Sequence, residues 1–143
     1  RQILVDGEIL AIAPGGMRES LRPSSQKYEI MWAKRKGFVK LAIEEQCPII
    51  LAACPNADRI FRVYESLITA LIYKKFKFPV PFFRGFGFSV IPRPVKLIHF
   101  LSGPIYPPQL ENDEDLETTV NRFHNTISKR MRELMEEAKE ASS

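Results

Sequence analysis

The chain has 143 residues, 45% of them hydrophobic, and a formal net charge of +4. That length gives one domain or part of one, and that hydrophobic fraction supports a packed core and excludes a disordered chain. No apolar run reaches the ~18–20 residues of a membrane-spanning helix, and the modest basic excess points to an anionic partner without choosing its kind.

Taken in chain order, Arg1 to Val5 reads as the end of a helix, closed by a turn at Asp6-Gly7. It starts without an initiator methionine, so the chain is expected to be the C-terminal part of a longer protein. Ile9 to Ala13 is strand-like and ends at Pro14-Gly15-Gly16, where a missing N–H and permissive backbone stop any ladder. Ser20 to Gln26, with Pro23 and serines, is a loop; Tyr28 to Trp32 is too short to separate helix from strand. Gly37 to Gln46 is helical, with Phe38, Leu41, Ala42 and Glu45 in period. Ile49 to Cys54 has no polar member and predicts a strand buried on both faces of a parallel sheet. Cys47 and Cys54 are too far apart along that segment to bridge, so reduced thiols are expected.

Ile60, Val63, Tyr64, Leu67, Ile68, Leu71 and Ile72 predict an amphipathic helix after an N-cap at Asn56 or Asp58, closed by Lys74, Lys75 and Lys77. Phe78 to Pro94 is an aromatic, proline-rich connection; Val95 to Ser102 is a strand with Leu97, His99 and Leu101 on one face and Ile98 and Phe100 on the other. Asp113 to Ala141 is a long amphipathic helix with Leu116, Val120, Phe123, Ile127, Met131, Leu134 and Ala138 in one stripe. His99 reads as a core or edge histidine, and His124, among polar neighbours, as solvated. Alternating strands and helices give an α/β layered domain, split into an α/β portion over residues 1–110 and a C-terminal helix with a frayed tail over 111–143.

Two segments carry more than fold. Ala13-Pro14-Gly15-Gly16-Met17-Arg18-Glu19-Ser20 follows the first strand, and Lys34-Arg35-Lys36-Gly37-Phe38 opens the next helix ahead of Cys47-Pro48-Ile49-Ile50. In order and spacing they resemble the third and fourth sequence blocks of the glycerolipid acyltransferase superfamily, in particular its monoacylglycerol/diacylglycerol acyltransferase-like branch. The resemblance implies a mixed, mostly parallel sheet flanked by helices, with the N-terminal part of that fold missing. It implies transfer of an acyl group from acyl-CoA, a co-substrate, to a glycerolipid hydroxyl, with no bound cofactor and no metal. The base would be the histidine of a His-x-x-x-x-Asp block, which takes the proton of the attacking hydroxyl. Neither histidine here has an aspartate five residues on, since Pro104 follows His99 and Lys129 follows His124. The block is therefore expected upstream, and the chain alone is expected to be inactive.

The resemblance leaves Pro14, Gly15, Gly16, Arg18 and Glu19 as the substrate-binding residues. The lysophosphatidate acyltransferases have Pro-Glu-Gly-Thr-Arg in this block; here Gly15 replaces the glutamate, which favours mono- or diacylglycerol over a lysophospholipid, while the retained Arg18 permits an anionic acceptor or the CoA phosphates. Arg35, Lys36 and Gly37 at a helix start are candidates for the acyl-CoA phosphates. Phe82, Phe83, Arg84 and Phe86, from a run mixing phenylalanine with basic residues, are candidates for membrane contact. Nucleic-acid binding uses similar ingredients, but no nucleic-acid motif accompanies them. A membrane-associated protein follows, expected at the endoplasmic reticulum with this domain facing the cytosol. The alternative is a non-catalytic lipid- or membrane-binding module that keeps the fold.

Overall fold

The computed structural model describes residues 1–64, 82–110 and 115–142. Helices α1 (Gln2–Val5), α2 (Gly16–Ser20), α3 (Gly37–Glu44) and α4 (Leu116–Ala141) accompany short strands β1 (Ala52–Ala53), β2 (Arg62–Tyr64), β3 (Phe82–Arg84) and β4 (Phe100–Leu101). The core is the inner stripe of α4. Val120, Phe123, Ile127, Met131, Leu134 and Ala138 are all buried, against Val39 and Ile43 of α3, Leu51 and Ala53 around β1, and Trp32. Each large apolar side chain buried in this way contributes on the order of 1.5–3 kcal/mol. The outer face of α4 is polar, with Arg130 paired to Glu137 at 2.7 Å and Glu133 at 3.6 Å. At the other end of the chain, Arg1 ties α1 to α3 through Glu44 (2.6 Å) and Glu45 (2.7 Å).

The strands differ from their sequence expectations. β1 pairs antiparallel with β4, Ala52 opposite Leu101 and Ala53 opposite Phe100, and Ile49 bridges Ile105 in the same sense. Ser102 extends this contact, its N–H donating to the Leu51 carbonyl and its hydroxyl accepting from the Leu51 N–H, both at 2.9 Å. Burial here is one-sided: Leu51 and Ala53 face α4, while Ile50 is 56% exposed. One packed and one open face is what an antiparallel ribbon permits, whereas a parallel strand is covered on both sides. Every strand pair among the described residues is antiparallel.

Arg62 to Tyr64, expected to be helical, pair with Phe82 to Arg84, Val63 opposite Phe83. The rest of that expected helix, from residue 65 on, lies outside the described residues, as do Lys74, Lys75 and Lys77. The Val63 N–H donates to the Ser24 hydroxyl at 3.0 Å, which satisfies the outer edge of this ribbon from the preceding loop. The segment Ile9 to Ala13 forms no strand: among the described residues it joins no ladder, and Ile9 is 94% exposed. Of the strand expected over Val95 to Ser102, only Phe100–Leu101 pair among the described residues, with Ile98 and Phe100 half-buried and Leu97, His99 and Leu101 exposed. Cys47 and Cys54 are free thiols.

Candidate functional site

The turn at Pro14-Gly15 makes a sharp corner from which α2 starts. The Gly16 N–H donates to the Ala13 carbonyl at 3.1 Å, and Gly16 holds φ at +52°. That is the left-handed region, costly for any residue with a Cβ. Glu19, one turn on, folds back over Gly15, where a methyl carbon would overlap its Cβ, Cδ and Oε2. Glu19 Oε1 accepts the Met31 N–H at 2.9 Å and lies 3.6 Å from the Arg22 guanidinium. Arg35 closes the other side, donating from Nη1 to the carbonyls of Pro14 (2.8 Å) and Gly15. The two sequence motifs, twenty residues apart, are thus brought together as one unit.

Within that unit the charges divide. Glu19 and Arg35 are committed to backbone groups. Arg18 is exposed, and among the described residues it makes no hydrogen bond or ion pair. Lys36, the N-cap of α3, donates its ammonium to Asn121 Oδ1 on α4. A side chain added to Gly37 would meet nothing within 4 Å, so the start of α3 is open.

Beside the corner runs a polar network that local sequence pattern does not show. Arg22 grips Asp58 with Nε (3.2 Å) and Nη2 (2.8 Å to each oxygen), and its Nη1 donates to the Glu29 carbonyl at 2.6 Å. Asp58 Oδ2 also accepts the Tyr28 N–H at 2.8 Å. Asp58, read from sequence as a helix N-cap, instead anchors the loop after α2. The partners are 36 residues apart, so no spacing rule links them. The pair forms the floor of a cleft of about 230 Å³ walled by Leu21, Phe61, Val63, Phe83 and Val90, with Lys27 also lining it. Arg18 and Glu19 do not line this cleft.

His124 is not solvated: it is 6% exposed and faces α3, its ring edge-on to Phe38 at 6.1 Å, with Trp32 beyond at 5.4 Å from Phe38. Its position between Val120 and Ile127 puts it on the buried stripe of α4, which polar neighbours in sequence obscure. His124 Nε2 has no hydrogen-bond partner among the described residues. Burial, then the positive charges of Lys36 and Arg132, hold its pKa below the ordinary value. The unfolded chain takes up the proton near pH ~6.5, the folded chain only at lower pH. The contribution to stability is therefore complete above about pH 6.5 and is lost as pH falls below it. The melting temperature is expected to drop as pH falls below about 6.5, and His124→Gln to flatten that slope. His99 is exposed at the edge of β4.

Of the membrane-contact candidates, Phe83 is 41% and Phe86 63% exposed, and the Arg84 guanidinium lies 4.4 Å from the centre of the Phe88 ring. The side chain of Phe82 lies outside the described residues. No helix among the described residues is long and apolar enough to cross a membrane, and none of their His, Cys, Asp and Glu side chains form a group of three or more able to hold a metal ion.

The family model for diacylglycerol acyltransferase matches residues 3–143. The chain belongs to the diacylglycerol acyltransferase family. Among its relatives, the mouse protein named DGAT1/2-independent enzyme synthesizing storage lipids is 39% identical over 134 residues, covering 92% of this chain and 38% of the relative. The human protein of the same name is 38% identical over the same length, covering 39% of the relative. Diacylglycerol O-acyltransferase 2A of Umbelopsis ramanniana is 20% identical over 146 residues, covering 94% of this chain and 41% of the relative. The chain thus spans about two fifths of the length of these relatives. No solved structure matches it.

Proposed function

We propose that the chain is the C-terminal part of an acyl-CoA-dependent O-acyltransferase that acts on a glycerolipid hydroxyl, with mono- or diacylglycerol favoured over a lysophospholipid. The observation that carries this reading is the corner at Pro14 to Glu19, where Glu19 is held by the Met31 N–H and Arg35 by the turn carbonyls while Arg18 makes no hydrogen bond or ion pair among the described residues. In this reading Pro14, Gly15, Gly16 and Glu19 shape the substrate-binding edge, and Arg18 supplies charge-assisted hydrogen bonds to an oxyanion of donor or acceptor. Glu19 lies where a side chain at position 15 would project. This favours the Pro-Gly-Gly branch, since Glu19 and a glutamate at position 15 cannot share that space. Lys36 and Gly37, at the open start of α3, remain candidates for the acyl-CoA phosphates, whereas Arg35 reaches them only by releasing the turn carbonyls.

The chemistry is attack of the acceptor hydroxyl on the acyl-CoA thioester carbonyl, with the proton passing to a histidine base and the CoA thiolate leaving. His124 is buried and His99 is solvent-facing on a strand edge, so the base and its aspartate are proposed to lie upstream, and this chain alone to be inactive. The short antiparallel ribbons are proposed to join a larger, mostly parallel sheet flanked by helices in the whole protein. That protein is proposed to work at a membrane, with the endoplasmic reticulum and a cytosol-facing domain as the expected setting. The exposed rings of Phe86 and Phe88 also suit the second reading, a lipid-binding module without catalysis. Incubating the full-length protein with labelled acyl-CoA and a panel of monoacylglycerol, diacylglycerol and lysophosphatidate separates the two. Labelled di- or triacylglycerol is the expected product, and an absence of any acylated product supports the module.

A further inference from the structure

The cleft above the Arg22–Asp58 pair is built for apolar cargo. The Arg22–Asp58 pair offers it no spare charge, because the guanidinium is held by Asp58 and the Glu29 carbonyl while Asp58 also accepts the Tyr28 N–H; Leu21, Ala57, Phe61, Val63, Phe83 and Val90 supply the apolar lining, and Lys27, Ser20 and Ser24 its remaining polar groups. Its volume, about 230 Å³, falls below the ~300–1,000 Å³ of sites that enclose a whole small molecule. It suits one segment of an alkyl chain.

Two wall residues belong equally to the outer surface, Phe83 at 41% and Val90 at 71% exposed, and that surface continues over Phe86 (63%), Phe88 (95%) and Ile91 (62%). These rings are not displayed by a slack loop. Gly85 and Phe86 donate their N–H groups to the Ser89 and Ile91 carbonyls, each at 2.8 Å, and Arg93 Nε donates to the Gly85 carbonyl at 3.1 Å. A fixed turn that presents a contiguous apolar surface marks a contact site. Charge identifies the partner. Residues 49–110 hold eight of the 21 Lys and Arg of the chain but two of its 17 Asp and Glu, and one of those two, Asp58, is neutralised by Arg22. Arg59, Arg62 and Lys96 are exposed, and Arg84 lies against the Phe88 ring. Rings flanked by arginine and lysine match the boundary between acyl chains and anionic head groups.

We infer that the turn from Phe83 to Ile91 rests in an anionic bilayer, and that the adjoining cleft takes one acyl chain of a membrane lipid directly from it. The membrane contact stands by itself; the use of the cleft for an acyl chain of the reacting lipid rests on the acyltransferase reading.

The test uses full-length protein reconstituted into vesicles of brominated phosphatidylcholine and phosphatidylserine, with Phe88→Trp as a fluorescent reporter and Lys129→Trp, on the outer face of α4, as its control. The emission added at position 88 is quenched and that at 129 is not; equal quenching at the two positions overturns the membrane contact. Quenching at 88 that is undiminished without phosphatidylserine overturns the charge selection. A phospholipid carrying a photoreactive group in its acyl chain labels the peptide spanning residues 82–93. Labelling falls roughly tenfold when the cleft is filled by Val63→Trp, or by Leu21→Trp, as expected for losing the burial of about two methylenes. Labelling unchanged in both variants overturns the cleft assignment. Neither readout needs turnover, so a protein that is quenched and labelled yet transfers no acyl group contradicts the enzymatic reading alone.

Discussion

Asp58→Ala is expected to destabilise the protein by about 3 kcal/mol, toward the lower end of what breaking a buried ion pair costs. Arg22 and Asp58 retain only 11% and 16% of their side-chain exposure. The truncation leaves the guanidinium with only the more distant Glu19, at 3.6 Å, as a counter-charge, and the Tyr28 N–H without its acceptor. Both losses strike the loop between α2 and α3, so the corner that holds Arg18 loosens as well. Replacing both partners, as in Arg22→Met with Asp58→Ala, is expected to cost less than the sum of the single changes, because neither member of the pair is then left without the other. Urea denaturation of the two single variants and the pair measures this coupling. Additive single effects would show that the two side chains act independently.

The second large effect is expected at Gly15. A Cβ there overlaps Glu19 from its own Cβ outward, so rotation of the far end of the glutamate does not relieve it. Either the turn shifts away from Arg35, or Glu19 leaves Met31; overpacking of this kind costs on the order of 1–3 kcal/mol. Gly15→Ala is expected near the top of that range, as several overlaps fall on one side chain. Glu19→Gly removes the obstruction together with its Cβ, so the double variant should melt above Gly15→Ala alone. If it melts lower, Glu19 is not the group that excludes a side chain at position 15. Gly16 differs: the nearest atom to an added Cβ is Arg35 Nη1 at 3.6 Å, so the cost of alanine there comes from the positive φ.

How much of this was legible in the chain depends on the range of the interactions. The stripe of α4 runs through 26 helical residues and is plain in the spacing; α3 is nearly so. Both motifs of the corner were readable because each is contiguous, and their order is what the family resemblance rests on. Their clamp was not, since nothing in the Lys34 to Gly37 run indicates that Arg35 turns toward the carbonyls of Pro14 and Gly15. β2 was misread because Ile60, Val63 and Tyr64 fit a helical period, whereas its strand character comes from Phe82 to Arg84, far along the chain. Ile9 to Ala13 has the composition of a strand, but a strand is a pairing, and among the described residues it has no partner. The Arg22–Asp58 pair is equally non-local, while His124 was accessible in principle from its place on the α4 stripe.

We propose the corner at Pro14 to Glu19 as the binding half of an acyl-transfer site, with Arg18 as the residue that meets the ligand. Steady-state kinetics of full-length protein and its Arg18→Ala variant, with acyl-CoA and the preferred glycerolipid acceptor, test it most directly. Loss of one charge-assisted hydrogen bond, about 1.5–3 kcal/mol, predicts a fall in kcat/KM of roughly 10- to 150-fold. The melting temperature should hold, since Arg18 has no partner among the described residues. Unchanged kinetics with every donor and acceptor tried would remove Arg18 from the site and contradict the account.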